Sequence, residues 1–522
     1  MFTLAELRGK RPIWLLRLSW LGREWYFASR TVAPINSDGE ALDHRGQLAE
    51  IALDGGFNLL TDNPSERSAS FEVYLDVNVG ELIAKGADLN TATGELSLWI
   101  EGLSYERRQI MLSSDIISPS YGGASQPINF ALEDRVWNDR SSTLSSSHII
   151  TSSVWSDLAE SAEGRYYPLV FGTPGKYGAS KTNGSPAFMV IYTAGVAYLL
   201  IAGHRVSASS VTIVNGSDNT TASVSVVNTT DSLGSSIAYV NIHGSSCTKS
   251  ETDNYWVIWD DGPALEIGDG LNVSTAADLL EYALERTTIG VDRGRLAAVK
   301  TSLEGLNLSG YIDEPSSWYE WYLDNLAPLL PITMARSAAG LYPIRWRADA
   351  TRADAREHLV AGEGIFRSSG VTYTGDPINE ITIRYALDAG SNTHLLATTI
   401  GPRVDTIPEN YVESLAATVS KTRYGLRVDL DMSTDLIYEI ADAQFVAKWR
   451  IEAYSLPRRE VMYDADPVFS WLAEGTIVTI TDPDLSLYNA PAIWSSSWSD
   501  GRLSGRLLLL SNPNLDVGDT SG

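Results

Sequence analysis

The chain has 522 residues, 44% hydrophobic and 20% charged, the composition of a folded protein long enough for roughly two to four domains. Its formal charge of −26 argues against a protein that wraps DNA by neutralising phosphates. A single cysteine, Cys247, can form no internal disulfide and cannot build a cysteine-rich zinc or iron–sulfur site. Residues 1–11 lack the apolar stretch of a secretory signal, and the most apolar runs, near 188–202 and 507–510, are shorter than the roughly 20 residues that span a bilayer. The expectation is a soluble protein made in the cytoplasm, without stable membrane insertion. Tryptophan (15) and tyrosine (24) outnumber phenylalanine (10), and their polar tips suit half-buried positions in strands and at subunit interfaces.

In chain order, residues 13–29 read as a hairpin with Gly22 in its turn. Phe71, Val73, Leu75 and Val77 alternate on one face of a half-buried strand over 70–77. A short helix over 79–85 and strands over 94–101 and 105–112 complete a first β domain, residues 1–140. Residues 141–180 form a Ser/Thr-rich linker and a connecting strand. Short strands over 211–214, 222–227 and 238–242, separated by Asn, Gly and Asp turns, make residues 181–262 a small β insertion of sandwich type.

The texture turns helical over 263–333. Thr275 and Asp278 have capping-box spacing ahead of Leu279, Leu280, Ala283 and Leu284. A second helix covers 292–303, and a third, capped by Ser317 with Glu320, runs over 318–326. Strands return at 341–346 and 378–386, opening a second part (334–511) before a polar tail, 512–522. Residues 414–425 read as a strand, followed by an amphipathic helix over 434–449 with Ile437, Ala441, Phe445 and Trp449 on one face. Strands over 446–454, 460–463 and 475–482 follow. The fold class is mainly β with α+β parts: two barrels, each with a packed helix, plus the β insertion and the short helical unit.

No catalytic, cofactor-binding or metal-binding residue set emerges. Gly172-Thr-Pro-Gly175-Lys176 lacks the length and the following Ser or Thr of a phosphate loop, and Pro174 removes a backbone donor, so it reads as a turn. The six histidines (His44, His148, His204, His243, His358 and His394) have no ligand-like spacing, and only His204 stands in an apolar setting. Cys247 and His243 have weak geometry for a nucleophile dyad. Asp260 and Asp261, beside Trp256 and Trp259, superficially suit a sugar cleft, but Asp-Asp-Gly-Pro is a turn signature. Asp482-Pro-Asp484 ends a strand in the same manner, and neither matches an EF-hand loop. The Asn-x-Ser/Thr triplets at Asn215, Asn219 and Asn228 arise in a Ser/Thr-rich stretch.

The order of several segments resembles the tail-tip proteins of tailed bacteriophages and gene-transfer agents, more narrowly the baseplate hub family. They are Tyr167-Pro-Leu-Val-Phe-Gly-Thr-Pro-Gly175, Asn307-Leu-Ser-Gly-Tyr-Ile-Asp-Glu-Pro315 with its Trp-rich helix, Asn379-Glu-Ile-Thr-Ile-Arg-Tyr385, and Tyr424-Gly425 with the following helix and Pro457-Arg-Arg459. The resemblance covers about two-thirds of the chain, and its specificity lies in the order of these segments. It implies tail-tube-like barrels that assemble into a ring around a DNA channel, with no cofactor and no chemistry of the chain's own. The implied partners are copies of itself (a homotrimer, with a hexamer as alternative), a distal tail or tail tube protein, a tip fibre or receptor-binding protein, and a tape-measure protein. DNA would only pass through, and the implied location is the virion tail tip. The alternatives are a hexameric distal tail protein and a host-surface glycan-binding or glycan-hydrolysing tail protein.

Overall fold

The computed structural model describes residues 10–54, 68–74, 79–122, 126–133, 143–144, 148–176, 182–260, 262, 266–267, 271–287, 290–337, 340–428, 432–499 and 501–510. Leu75, Val77, Asp261 and the polar tail lie outside them. The molecule is mainly β, as expected. It forms two compact units, each assembled from separated stretches: 1–138, 332–375 and 457–522 in the first, 139–331 and 376–456 in the second.

The first unit is built on one 14-stranded sheet. The hairpin of Ile13–Trp20 and Arg23–Ala28 forms as expected, with Leu21 and Gly22 both at positive φ. A two-residue turn of that hand matches the twist of the strands, and glycine adopts it without steric cost. From the hairpin the sheet continues through Thr93–Trp99, Gln109–Tyr121, Ile128–Glu133, Ser68–Val73 and Leu48–Asp54. There it crosses to C-terminal strands, where Leu53 pairs with Trp498 of Leu487–Ser499. Arg502–Leu509, Arg458–Ala465 and Ile365–Arg367 follow in order.

Ala69, Phe71 and Val73 alternate inward, as do Leu503, Gly505 and Leu507 in the C-terminal half, and both sets enter one core. Trp14 meets Trp498 edge to face at 5.2 Å, so aromatic packing ties the N- and C-terminal strands together.

In the second unit, Ser185–Thr193, Val196–Ala202, Ser210–Asn215, Thr221–Thr230, Ser236–Ile242 and Tyr255–Ile258 close into a barrel instead of the expected sandwich. Closure removes the two edges that an open sheet would expose. Its lumen is filled by Ala197, Leu199, Ile201, Ile213, Val240 and Val257, small aliphatic side chains that fit a narrow barrel. The helical stretch follows the capping signals closely. Thr275 and Asp278 form the reciprocal box on Ala276–Glu285, Asp292 caps Arg293–Lys300, and Ser317 caps Trp318–Trp321. The last continues as one π-helical turn, Tyr322–Leu326.

The 414–510 block differs most from its sequence reading. Residues 414–425 are a helix, Leu415–Tyr424, because Ser414 accepts from the Ala417 N–H and Gly425 closes the last turn onto Lys421. Local caps override the β preference of its Thr and Val. The long helix runs Ile440–Tyr454, which also absorbs the strand expected at 446–454. Its buried face is Asp442, Ala443, Val446, Ala447, Trp449, Ile451 and Ala453, whereas Ala441 is exposed. Ile437 is buried in the non-helical approach to the helix, so the fourfold recurrence joined residues from two different conformations. The helix packs on Ile381–Asp388 and Thr393–Gly401 of a four-stranded sheet in the second unit. The strands that follow it belong to the first unit, so it is not the packed helix of their barrel.

Candidate functional site

The described residues singled out in the sequence are spread over both units, and most of them have structural partners. The Gly172–Lys176 stretch is a turn: Gly172 donates its N–H to Val273 and Lys176 to Thr173, while the Pro174 carbonyl accepts from Trp259. Trp259 is fully buried and donates to Ser185 Oγ at 2.8 Å, and Asp260 accepts from Thr212 Oγ1, so neither is arranged as a hydrolytic cleft. Cys247 is buried against the Thr220 and Thr248 carbonyls, and burial pushes its thiol pKa up, the opposite of nucleophile activation. Asp482 caps the turn after its strand and accepts from the buried Tyr463 hydroxyl at 3.0 Å. Among the described residues no group of three or more His, Cys, Asp or Glu is arranged to hold a metal ion, and no helix is long and apolar enough to cross a membrane.

His204 is not the only histidine in an apolar setting. His44 is fully buried between the rings of Tyr26 and Tyr105, at 5.0 and 5.6 Å, and burial lowers its pKa. The His204 ring is enclosed although the residue keeps partial exposure. Its Nε2 accepts from the Val170 N–H at 3.0 Å, which places the proton on Nδ1, opposite the Arg205 carbonyl at 2.8 Å. Burial holds this imidazole neutral, with its pKa lowered to about 4. Asp442, buried in the first turn of the long helix, is moved the other way. Burial raises its pKa to about 6, against the opposing pull of the Asn307 N–H at 2.9 Å.

These two groups give the second unit opposite pH dependences. Between about 4 and 6.5 the unfolded chain binds a proton at residue 204 that the folded chain refuses, so stability is lost as pH falls through that window. Between 3.8 and about 6 the folded chain keeps a proton on Asp442, so stability is lost as pH rises. Wild type is expected to show a shallow profile across this range. Asp442→Asn should raise stability at pH 7.5 by about 1–3 kcal/mol and uncover the acid lability of His204. Partial exposure of His204 discounts its share to about 1–2 kcal/mol. Urea unfolding at pH 4.5, 6 and 7.5 checks this, and identical profiles for wild type and variant would refute it.

A cleft of about 260 Å³ lies on the outside of the closed barrel. Period-two alternation turns Leu199 and Val240 into the lumen and Tyr198 and Tyr239, on adjacent strands, outward. The two rings lie 6.1 Å apart at 38°. Trp155 and Val154, from the segment that covers this face, line the same cleft with Val190, Ile191 and Ile237. Its rim is polar: Thr229, Thr230, Asp231 and Ser232.

Asp231 is held in place by its own turn. Oδ1 accepts from the Leu233 and Ser235 N–H groups at 2.9 Å each, and Oδ2 accepts from Tyr167 Oη at 3.0 Å. Tyr167 in turn accepts from Trp155 Nε1 at 3.2 Å. None of these residues was singled out in the sequence as a site residue (Tyr167 figures there only as part of the segment 167–175), and the one signal is the pair of outward aromatics in alternating strands.

A second surface lies at the edge of the 14-stranded sheet. Ile365–Arg367 pairs with Arg458–Ala465, and Phe366, opposite Asp464, shares the outer face with Met462. Phe366 is 59% and Met462 43% exposed, on a strand face that is otherwise polar.

No protein-family model matches the sequence, and no curated protein matches it. Among solved structures, the chain is similar to the 43 kDa tail protein of prophage MuSo2 from Shewanella oneidensis, at 10% identity and a TM-score of 0.39. That alignment covers 96% of this chain and 100% of the other. The chain is also similar to prophage tail protein gp18 from Listeria monocytogenes EGD-e, at 7% identity and a TM-score of 0.38, over 92% of this chain and 94% of that one.

Proposed function

We propose that the chain is a structural protein of a phage tail tip, a baseplate hub whose copies form a ring around the DNA channel. The observation that carries this reading is the open sheet of the first unit, which joins strands from both ends of the chain. The main path of this branched sheet ends on Arg23–Ala28 and Ile365–Arg367. Arg45 already bonds Tyr26 and Ala28 on the first and Gly362 bonds Ile365 on the second, so a neighbouring subunit would meet the backbone groups beyond these bonds. The exposed Phe366 and Met462 beside one of those edges are the apolar side chains a subunit contact would bury. The order of the segments that resemble hub proteins supports the same assignment. An acidic chain suits a channel through which DNA slides without adhering, because like charges repel.

In this reading the ring joins a tube-side protein to a tip fibre, a tape-measure protein meets it from the tube side, and the chain performs no catalysis. Mass photometry of the purified chain tests it, with particles of three chains expected. Phe366→Asp with Met462→Asp is expected to return these to single chains. Particles of six chains would move the assignment to a distal tail protein. Single chains alone at micromolar concentration would remove the ring.

A further inference from the structure

We propose that the cleft outside the closed barrel is a binding site for a neutral pyranose sugar. The inference stands apart from the ring, because the whole cleft lies within residues 154–239 of the second unit.

The lining selects the ligand by exclusion first. No Lys or Arg lines the cleft, and the Asp231 carboxylate sits on its rim, so phosphate, carboxylate and acidic sugars meet a repulsive site. A purely aliphatic ligand would strip water from Asp231 and the Thr and Ser hydroxyls and return no hydrogen bond, a net cost for each polar group. A quaternary ammonium group would be much smaller than the space and, with neither donor nor acceptor, would leave the Thr and Ser hydroxyls of the rim unanswered.

A pyranose answers each requirement. Its ring C–H face is apolar and weakly positive, the complement of the negative aromatic faces of Tyr198, Tyr239 and Trp155. Its hydroxyls both donate and accept, matching a rim of one carboxylate and three hydroxyl side chains. A carboxylate offers about four lone-pair positions, and three donors occupy Asp231, which leaves acceptor capacity on a group already fixed in orientation. The hydroxyls of Tyr198 and Tyr239 have no hydrogen-bond partner among the described residues and are free to meet a ligand. The volume of about 260 Å³ falls just below the usual span for drug-sized ligands, which suits a single sugar unit. Trp155, braced through Tyr167 to Asp231, makes aromatic wall and polar rim one preorganised assembly.

Saturation-transfer NMR on the full chain, with the methyl glycosides of glucose, galactose and N-acetylglucosamine at millimolar concentration, tests the site. Transfer to the ring C–H protons of at least one glycoside is expected. Loss of one stacked ring in Tyr198→Ala or Tyr239→Ala should weaken binding about fivefold or more, while Tyr198→Phe retains it. An unchanged urea transition in each variant confirms that the barrel is intact. No transfer from any of the three, transfer undiminished in both alanine variants, or transfer from choline or methyl glucuronide alone would overturn the proposal. Mass photometry of the same samples reads the ring separately, so failure of either leaves the other standing.

Discussion

Replacing Trp494 by alanine is expected to destabilise the first unit by about 3–5 kcal/mol, among the largest effects available to a single substitution in this chain. Trp494 is fully buried in Leu487–Ser499, in the core shared by the N- and C-terminal strands. Its six-membered ring lies over Gly505 of the neighbouring strand, where a β-carbon would fall well inside van der Waals contact of Cη2 and Cζ3. Gly505 occupies an inward position between Leu503 and Leu507, so the glycine is the seat of the indole. Gly505→Ala by itself should cost about 1–3 kcal/mol through overpacking.

The two effects are coupled, since alanine at 505 refills part of the space that Trp494→Ala empties. The double variant should be more stable than the sum of the single changes allows, by about 1 kcal/mol or more. Guanidinium unfolding of the four proteins measures this cycle, and strict additivity would refute the packing account. The indole N–H has no hydrogen-bond partner among the described residues, so Trp494→Phe should lose only packing.

The second large effect concerns Glu95, on the strand Thr93–Trp99. Its carboxylate is nearly buried (9% exposed) and receives Arg108 twice at Oε1, at 2.9 and 2.6 Å, and Arg17 at Oε2, at 3.2 Å. Arg108 is itself 13% exposed and lies 4.0 Å over the Tyr105 ring, whose hydroxyl burial pushes up to about 12. Removing the carboxylate strands the Arg108 guanidinium in that site. Glu95→Ala is therefore expected to cost about 3–5 kcal/mol, whereas Glu95→Leu with Arg108→Met, which removes both charges, should lose far less. Arg17→Ala, at an exposed partner, should cost no more than about 1 kcal/mol. Equal losses for Arg17→Ala and Glu95→Ala in urea titrations would show that burial is not what makes this pair matter.

What could be read in the sequence was local. The hairpin turn at Leu21 and Gly22, the capping box of Thr275 with Asp278, and the caps at Asp292 and Ser317 each rest on groups within a few residues of one another. The alternation of Phe71 with Val73 depends only on the pleat, so that strand too stood where its pattern placed it. Reading failed at 414–454, where two conformations shared one apolar rhythm. Ile437 is as buried as Val446, yet one lies in irregular chain and the other in a helix, and periodicity records burial without regard to backbone conformation.

The candidate site was illegible for a different reason. Trp155, Tyr198, Asp231 and Tyr239 come from four places in the chain, and no spacing between them has chemical meaning. Only closure of the barrel and the segment laid over it bring them to one cleft.

The sequence by itself determined the mainly β character, the acidic balance and the capped helices, because composition and short-range hydrogen bonding do not depend on what the chain later meets. The tertiary structure decided that the first and last strands share one sheet through Leu53 and Trp498, and that the long helix packs in the other unit. It also decided that Tyr198 and Tyr239 look outward over a cleft. Strand partners and faces are chosen by burial between residues hundreds of positions apart, a free energy that no local window contains.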